Sequence, residues 1–181
     1  MALKSIIFKV NLQISDMERH YYVSHGLTLA RHPSETDERM MVRLLAFARH
    51  AHERLMFARG LSDNEEPDLW QKDLTGAIEL WIDVGLPDEK RILKASGRAQ
   101  KVVIYAYGGH SVGIWWQSIS SRLKRLNNLE VFNVTLASSQ ALAQMVERTM
   151  ELSCTIQDGG LWLSSDKETV QVEYEVLLEA K

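Results

Sequence analysis

The segment with the most chemical content runs Ala77-Ile78-Glu79-Leu80-Trp81-Ile82-Asp83-Val84-Gly85. Side chains alternate along a strand, so Ile78, Leu80, Ile82 and Val84 share one apolar face while Glu79, Trp81 and Asp83 share the other. In a sheet covered on both sides, a mid-strand carboxylate is costly unless something compensates it. A two-residue turn at Thr75-Gly76 would set Leu74 opposite Ala77, Lys72 opposite Glu79, Trp70 opposite Trp81 and Asp68 opposite Asp83. The first of the outer pairs is an ion pair and the next an aromatic pair. The last is two carboxylates roughly 5 Å apart, which repel and call for a cation or a shared proton. A divalent ion such as Mg²⁺, with its preference for hard oxygen ligands, would resolve the conflict. The reading depends on register, since a slip of one residue sends every side chain to the other face.

Glu38 supplies a third acid. At helical spacing it shares a face with Met41, Val42 and Leu45, whereas Glu35, one turn earlier, is expected to be exposed. Structural readings stand beside these. Asp68 follows Pro67 after an acidic stretch and suits a turn, and Glu38 opens a helix, where acids favour the dipole. On spacing alone, the structural reading comes ahead of a metal site.

Other motifs are less specific. Gly109-His110-Ser111-Val112-Gly113 matches the G-x-S-x-G nucleophile elbow between a predicted strand and helix. The hydrolase order of serine, acid, histidine fails, because no histidine follows His110. A glycine-rich turn with Ser111 capping a helix is the simpler account. His50 and His52 are two apart and face different directions on a helix. His52-Glu53 lacks the second histidine of H-E-x-x-H, and His32 is placed to cap the first helix. Cys154, between Leu152 and Ile156 on an alternating strand, reads as a small core residue. Trp115-Trp116 would divide between core and surface.

The elements that must position these residues are legible as periodicity. Residues 5–14 and 20–30 read as strands. A long helix is expected from His32-Pro33-Ser34-Glu35, with Ser34 and Asp37 as a capping box. Its stripe is Met41, Leu44, Leu45, Ala48, Leu55 and Met56, with an end near Gly60. Ser62–Glu66 is a solvated acidic loop. Strands at 67–73 and 77–85 precede a helix opened by Pro87, with Asp88 and Glu89 in its first turn. A buried strand at 101–107, a helix at 111–126, a strand at 129–135 and a helix at 138–148 imply partly parallel sheet. The tail turns antiparallel: 150–157, the turn Asp158-Gly159-Gly160, 161–164 and 169–178.

The 181 residues suit one domain with a sizeable core. A hydrophobic share of 45% and a charged share of 25% exclude wholesale disorder and fibrous repeats. The single cysteine excludes an intrachain disulfide and a cysteine-based zinc cage. No run approaches the roughly 18 apolar residues that span a bilayer. The opening MALKSIIFKVNLQISD lacks the apolar core and cleavage site of a signal peptide, so the cytoplasm is the expected location. The net charge of −3 gives no global attraction to nucleic acid, though it leaves room for a local basic groove.

The run Leu27-Thr28-Leu29-Ala30-Arg31-His32-Pro33-Ser34-Glu35-Thr36, continued by Glu38-Arg39-Met40-Met41, resembles the signature of the YaeQ family. So do Ile78–Glu89, Ile114-Trp115-Trp116 and Thr155-Ile156-Gln157-Asp158-Gly159. The resemblance spans almost the whole chain, and it implies a variant of the PD-(D/E)XK nuclease superfamily. The expected fold is mixed α/β, a restriction-endonuclease-like core around residues 34–107 with added antiparallel strands from both terminal segments, in a single domain over 1–181. Pro67-Asp68 matches the PD element, Asp83 the (D/E) position and Val84 the X. Glu38 would be the extra acid of the first helix. Gly85 stands where the lysine belongs, which puts catalysis in question. Lys94 is the candidate replacement, and Lys72 the second.

The implied activity is a Mg²⁺-dependent (or Mn²⁺-dependent) nuclease-like protein that hydrolyses or binds nucleic-acid phosphodiesters. Asp68, Asp83 and Glu38 would hold the metal and Lys94 would complete the catalytic set. Nucleic acid is the expected partner, with phosphates held by Lys90, Arg91, Lys94, Arg98 and Lys101. A solvated helix face is the commoner explanation of such a stripe. The rival function is a non-catalytic protein-interaction module that keeps the nuclease fold without the lysine.

Overall fold

The computed structural model describes residues 4–181; the first three, part of the segment read for a signal sequence, lie outside the described residues. The chain is mixed α/β with two mixed sheets, divided into two compact units.

One unit spans Met1–Arg49 and Ala137–Glu173. Its sheet has the order β10-β9-β8-β1-β2, built from β1 (Ile6–Asp16), β2 (Tyr21–Arg31), β8 (Thr149–Gln157), β9 (Gly160–Ser164) and β10 (Thr169–Gln171). On β1 the even positions Phe8, Val10, Leu12 and Ile14 are buried while Lys9, Asn11 and Gln13 are exposed, which is the alternation the sequence shows. The tail is antiparallel from β8 to β9 to β10, but β8 itself lies parallel to β1. Asp158 and Gly159, with φ of 52° and 76°, make the tight turn between β8 and β9. Cys154 is buried, and desolvation pushes its thiol up to about 12.

Helix α1 runs Asp37–His50, shorter at both ends than the periodicity implies. Thr36, not Ser34, is the cap: its Oγ1 accepts the Arg39 N–H at 3.1 Å. His32 does not cap α1 either; its Nδ1 accepts the Ser34 N–H at 3.1 Å and holds the preceding turn. Glu35, expected to be exposed, is buried. Arg43 grips it at two points, Nη2 to Oε1 at 2.6 Å and Nε to Oε2 at 2.8 Å, and Arg39 adds a third bond. This clamp fixes the entry into α1 with a planar guanidinium that matches the carboxylate.

The other unit spans His50–Leu136 and Tyr174–Lys181. Its sheet has the order β11-β7-β6-β5-β4-β3, from β3 (Leu55–Phe57), β4 (Leu69–Lys72), β5 (Ile78–Val84), β6 (Ala99–Tyr107), β7 (Leu129–Val134) and β11 (Tyr174–Leu178). Strands β5, β6 and β7 are parallel, joined by α2 (Glu89–Arg98) and α3 (His110–Leu123). Trp81, Ile92, Val102, Ile104, Leu123 and Val131 anchor its core. Leu55 and Met56, assigned by periodicity to the first helix, belong to β3 and pair with β4. The chain turns at His52, whose C=O accepts the Leu55 N–H at 3.0 Å and whose Nδ1 accepts the Arg54 N–H at 3.0 Å. Helix α4 (Leu136–Gln144) precedes β8. The last predicted strand is two strands in different sheets, β10 and β11, separated at buried Val172.

Candidate functional site

The β4–β5 hairpin sets the two aspartates. Its turn is larger than the expected Thr75-Gly76 pair: Asp73 closes on Ala77, with N–H to C=O at 2.9 Å. The Asp73 carboxylate accepts from Thr75 N–H at 2.8 Å, Thr75 Oγ1 at 2.6 Å and Ala77 N–H at 3.0 Å. Gly76, with φ of 90°, supplies the conformation that closes the turn. Lys72 therefore pairs with Ile78, not Glu79. A bulge between Gln71 and Lys72 then takes up one residue, and beyond it Trp70 faces Trp81 as the sequence implies. The two rings meet edge to face with centroids 6.2 Å apart.

Glu79 is the extra residue. Its carboxylate accepts from Gln71 Nε2 at 2.7 Å and Arg54 Nη2 at 2.9 Å, and those bonds hold it below the usual carboxyl range. Lys72 instead lies 3.7 Å from the centroid of the Trp70 ring.

Asp68 and Asp83 are both buried, each at 3% exposure, next to each other across the start of β4 and the end of β5. The Asp68 N–H donates to Ile82 C=O at 3.1 Å, and Asp68 Oδ2 accepts the Val84 N–H at 2.8 Å. A Cβ at Gly60 would sit 2.3 Å from Asp68 Oδ1, so that oxygen packs against glycine backbone. Asp83 is held by Arg91 at two points, Nε to Oδ2 at 2.8 Å and Nη2 to Oδ1 at 3.0 Å. Asp88 caps α2 by accepting the Arg91 backbone N–H at 2.8 Å, which places Arg91 in the first turn of that helix. The Asp83 bonds raise the guanidinium pKa against the desolvation that opposes them, and the fields of Asp83 and Asp68 add to the rise.

The acidic loop is largely exposed, as expected, and it is also tied to α2. Arg91 also donates to Asn64 C=O at 3.1 Å and Glu66 C=O at 2.9 Å, and Arg98 donates to Glu65 C=O at 2.8 Å. Lys94 Nζ donates to Glu65 Oε1 at 2.5 Å, and that bond leads the causes that lower the Glu65 pKa. Lys90 is exposed beside them. Lys101, counted in the same stripe, stands on β6 and pairs with Glu130 at 3.0 Å.

Glu38 is in the other unit, where Ser139 Oγ donates to its Oε1 at 2.7 Å. Among the described residues, no group of three or more His, Cys, Asp or Glu side chains is arranged to hold a metal. Ser111 is not a cap: Gly109 precedes α3, and Ser111 Oγ donates to Gly108 C=O at 3.1 Å. Trp115 Nε1 donates to Pro87 C=O at 2.7 Å. The sequence reading missed the pairing of Arg91 with Asp83. Its signal was Asp83 next to the end of a strand, the short Gly85-Leu86-Pro87 link, an N-cap at Asp88 and an arginine in the first helical turn.

These features define a mixed α/β chain in which a hairpin, a parallel crossover and a capped helix converge on two buried aspartates. A family model described as YaeQ protein matches residues 1–174, and the chain belongs to that family. The YaeQ protein of Salmonella typhi is 44% identical over 173 residues, 96% of each chain, and that of Escherichia coli K12 is 44% identical over 95% of each. The crystal structure of YaeQ from Xanthomonas axonopodis pv. citri superposes with a TM-score of 0.93 at 45% identity, covering 98% of this chain and 99% of that one. The Pseudomonas syringae YaeQ structure gives 0.93 at 36% identity over 97% of each. No helix among the described residues is long and apolar enough to cross a membrane.

Proposed function

We propose that this chain is a non-catalytic interaction module built on a restriction-endonuclease-like frame of the PD-(D/E)XK type. The frame is supported by Pro67-Asp68 entering β4, Asp83 ending β5 and the parallel β5–α2–β6 crossover. The observation that carries the functional reading is the two-point bond of Arg91 to both oxygens of Asp83. A Mg²⁺ ligand needs an oxygen facing an open coordination position. Asp83 has a guanidinium there, Asp68 has the Val84 N–H on one oxygen and Gly60 against the other, and Glu38 has the Ser139 hydroxyl. The closed Asp83 carboxylate is what speaks against a divalent metal in this reading. Gly85 occupies the lysine position, and the Lys94 ammonium is bonded to Glu65.

A second reading, Mg²⁺- or Mn²⁺-dependent hydrolysis of nucleic-acid phosphodiesters with Glu38, Asp68, Asp83 and Lys94 as the site, is favoured by one observation. Asp68 and Asp83 both act electrostatically on the single Arg91 cation. It requires Arg91 to withdraw from Asp83. Incubation of wild type and Asp83→Asn with single- and double-stranded DNA and RNA in Mg²⁺ or Mn²⁺ separates the readings. The interaction module gives no cleavage that depends on Asp83; cleavage by wild type that Asp83→Asn abolishes overturns it.

A further inference from the structure

Strand β2 is an edge strand: its 11 residues pair with β1 on one side and, among the described residues, with no strand on the other. The Lys9 N–H donates to the Arg148 C=O at 2.8 Å, so odd positions of β1 direct their backbone groups toward β8. Even positions of β1 therefore serve β2, and their partners Val23, His25, Leu27 and Leu29 complete that ladder. Tyr22, Ser24, Gly26, Thr28 and Ala30 are left pointing outward. Arg43 donates to the Ala30 C=O at 3.1 Å, which closes that position and agrees with the parity. The other four are exposed, and among the described residues their backbone groups bond no element beyond the sheet.

Edges of this length are ordinarily protected by proline, a bulge or a charged side chain. From Tyr21 to Ala30 there is no proline and no Asp, Glu, Lys or Arg, and the β1–β2 register runs without a break. Val23 is 40% exposed on the face that carries the core residue Leu29. The strand offers donors, acceptors and an apolar side chain, with nothing set to repel another chain.

We infer that this edge pairs antiparallel with the β2 edge of a second copy of the chain, about a two-fold axis through His25. The register follows from the open positions: Tyr22 meets Thr28 of the copy and Ser24 meets Gly26, each pair exchanging two backbone bonds. Between them, Val23 packs on Leu27 of the copy, and His25 faces itself. A second copy is the occupant because such an edge is its own complement under two-fold symmetry, and no like charges meet across it. Burial lowers the His25 pKa, so the imidazoles on the axis are uncharged at neutral pH. The inference goes beyond the proposed function and is independent of Asp83, which lies in the other unit.

The test is sedimentation of the full chain over a range of concentrations at neutral pH. A monomer–dimer equilibrium is expected. Val23→Lys and Ser24→Pro should each raise the dimer dissociation constant by about tenfold or more. The first sets a charge in the seam, and the second removes an outward N–H without touching the β1 ladder. Oxidation reads the register. His25→Cys should form a disulfide-linked dimer, since facing non-bonded pairs bring Cα atoms to about 4.5 Å, whereas Tyr22→Cys should not. If His25→Cys does not fold, Val23→Cys mixed with Leu27→Cys gives the same reading. Wild type that remains monomeric at every concentration overturns the inference. So does a monomer that binds a synthetic peptide of residues 21–31, which assigns the edge to another extended chain. A dimer that Val23→Lys and Ser24→Pro leave intact overturns it as well, placing the interface elsewhere.

Discussion

Arg91 reaches from the first turn of α2 to both oxygens of Asp83 at the end of β5, at 2.8 and 3.0 Å. The Asp83 side chain is almost wholly buried (4% exposed) while that of Arg91 is a quarter exposed (24%). The asymmetry decides what a substitution does. Removing the arginine strands a buried charge, whereas removing the aspartate frees a cation that water can reach. Breaking a fully buried pair costs about 3–5 kcal/mol, and the partial exposure of Arg91 lowers that to about 2–3 kcal/mol for Arg91→Met. Asp83→Asn should cost less. Urea unfolding of the two variants checks the order, and equal losses would contradict it.

Gly60 is the second sensitive position. Its φ of 49° is left-handed, and an added Cβ would meet Asp68 Oδ1 at 2.3 Å. Gly60→Ala should lower stability by about 1–3 kcal/mol through backbone strain and displacement of the Asp68 carboxylate. Thermal unfolding reads the effect, and a variant as stable as wild type would show that Asp68 is free to move.

Acid pH provides a third expectation. The Glu79 carboxyl sits below its ordinary 4.5 because Gln71, and then Arg54, hydrogen-bond its charged form. A depressed carboxyl contributes stability that is present above the unfolded value and is lost as pH falls through the lower folded value. Glu79→Gln should therefore be less stable than wild type at neutral pH, and the gap should close between 4.5 and the lower folded value. Urea midpoints at neutral pH and at about pH 3 measure it. A gap that persists unchanged in acid would point to packing, not charge.

Cys154 should be silent to thiol reagents in the native state. Its thiol is pushed up to about 12 by burial, so the reactive thiolate is scarce at neutral pH. A disulfide reagent should label no thiol in the folded chain and one in denaturant. Fast native labelling would mean that the strand β8 opens readily.

Much of this fold is visible in residue patterns, because strands such as β1 and β8 alternate strictly and α2 carries Pro87 and an Asp88 cap at its start. Trp70 opposite Trp81 was legible for the same reason. What the pattern hides is local competition among hydrogen bonds. Asp73 organises a larger turn than two residues, and the bulge at Glu79 compensates for it, so the outer register survives while Lys72 loses its expected partner. The periodic Leu55 and Met56 continue a helical stripe on paper, yet the His52 turn and pairing with β4 place them in β3. At the candidate site, the acids were legible and their donors were not. Arg91 and the Val84 N–H are brought to them by the fold across separations of 8 and 16 residues.

The most direct test is a calorimetric titration of Mg²⁺ and Mn²⁺ into wild type and Asp83→Asn. If Arg91 closes the Asp83 carboxylate, neither protein gives saturable heat and the two traces coincide. Saturable binding to wild type that disappears in Asp83→Asn would show that the arginine yields to a metal, and the closed-site account would be wrong.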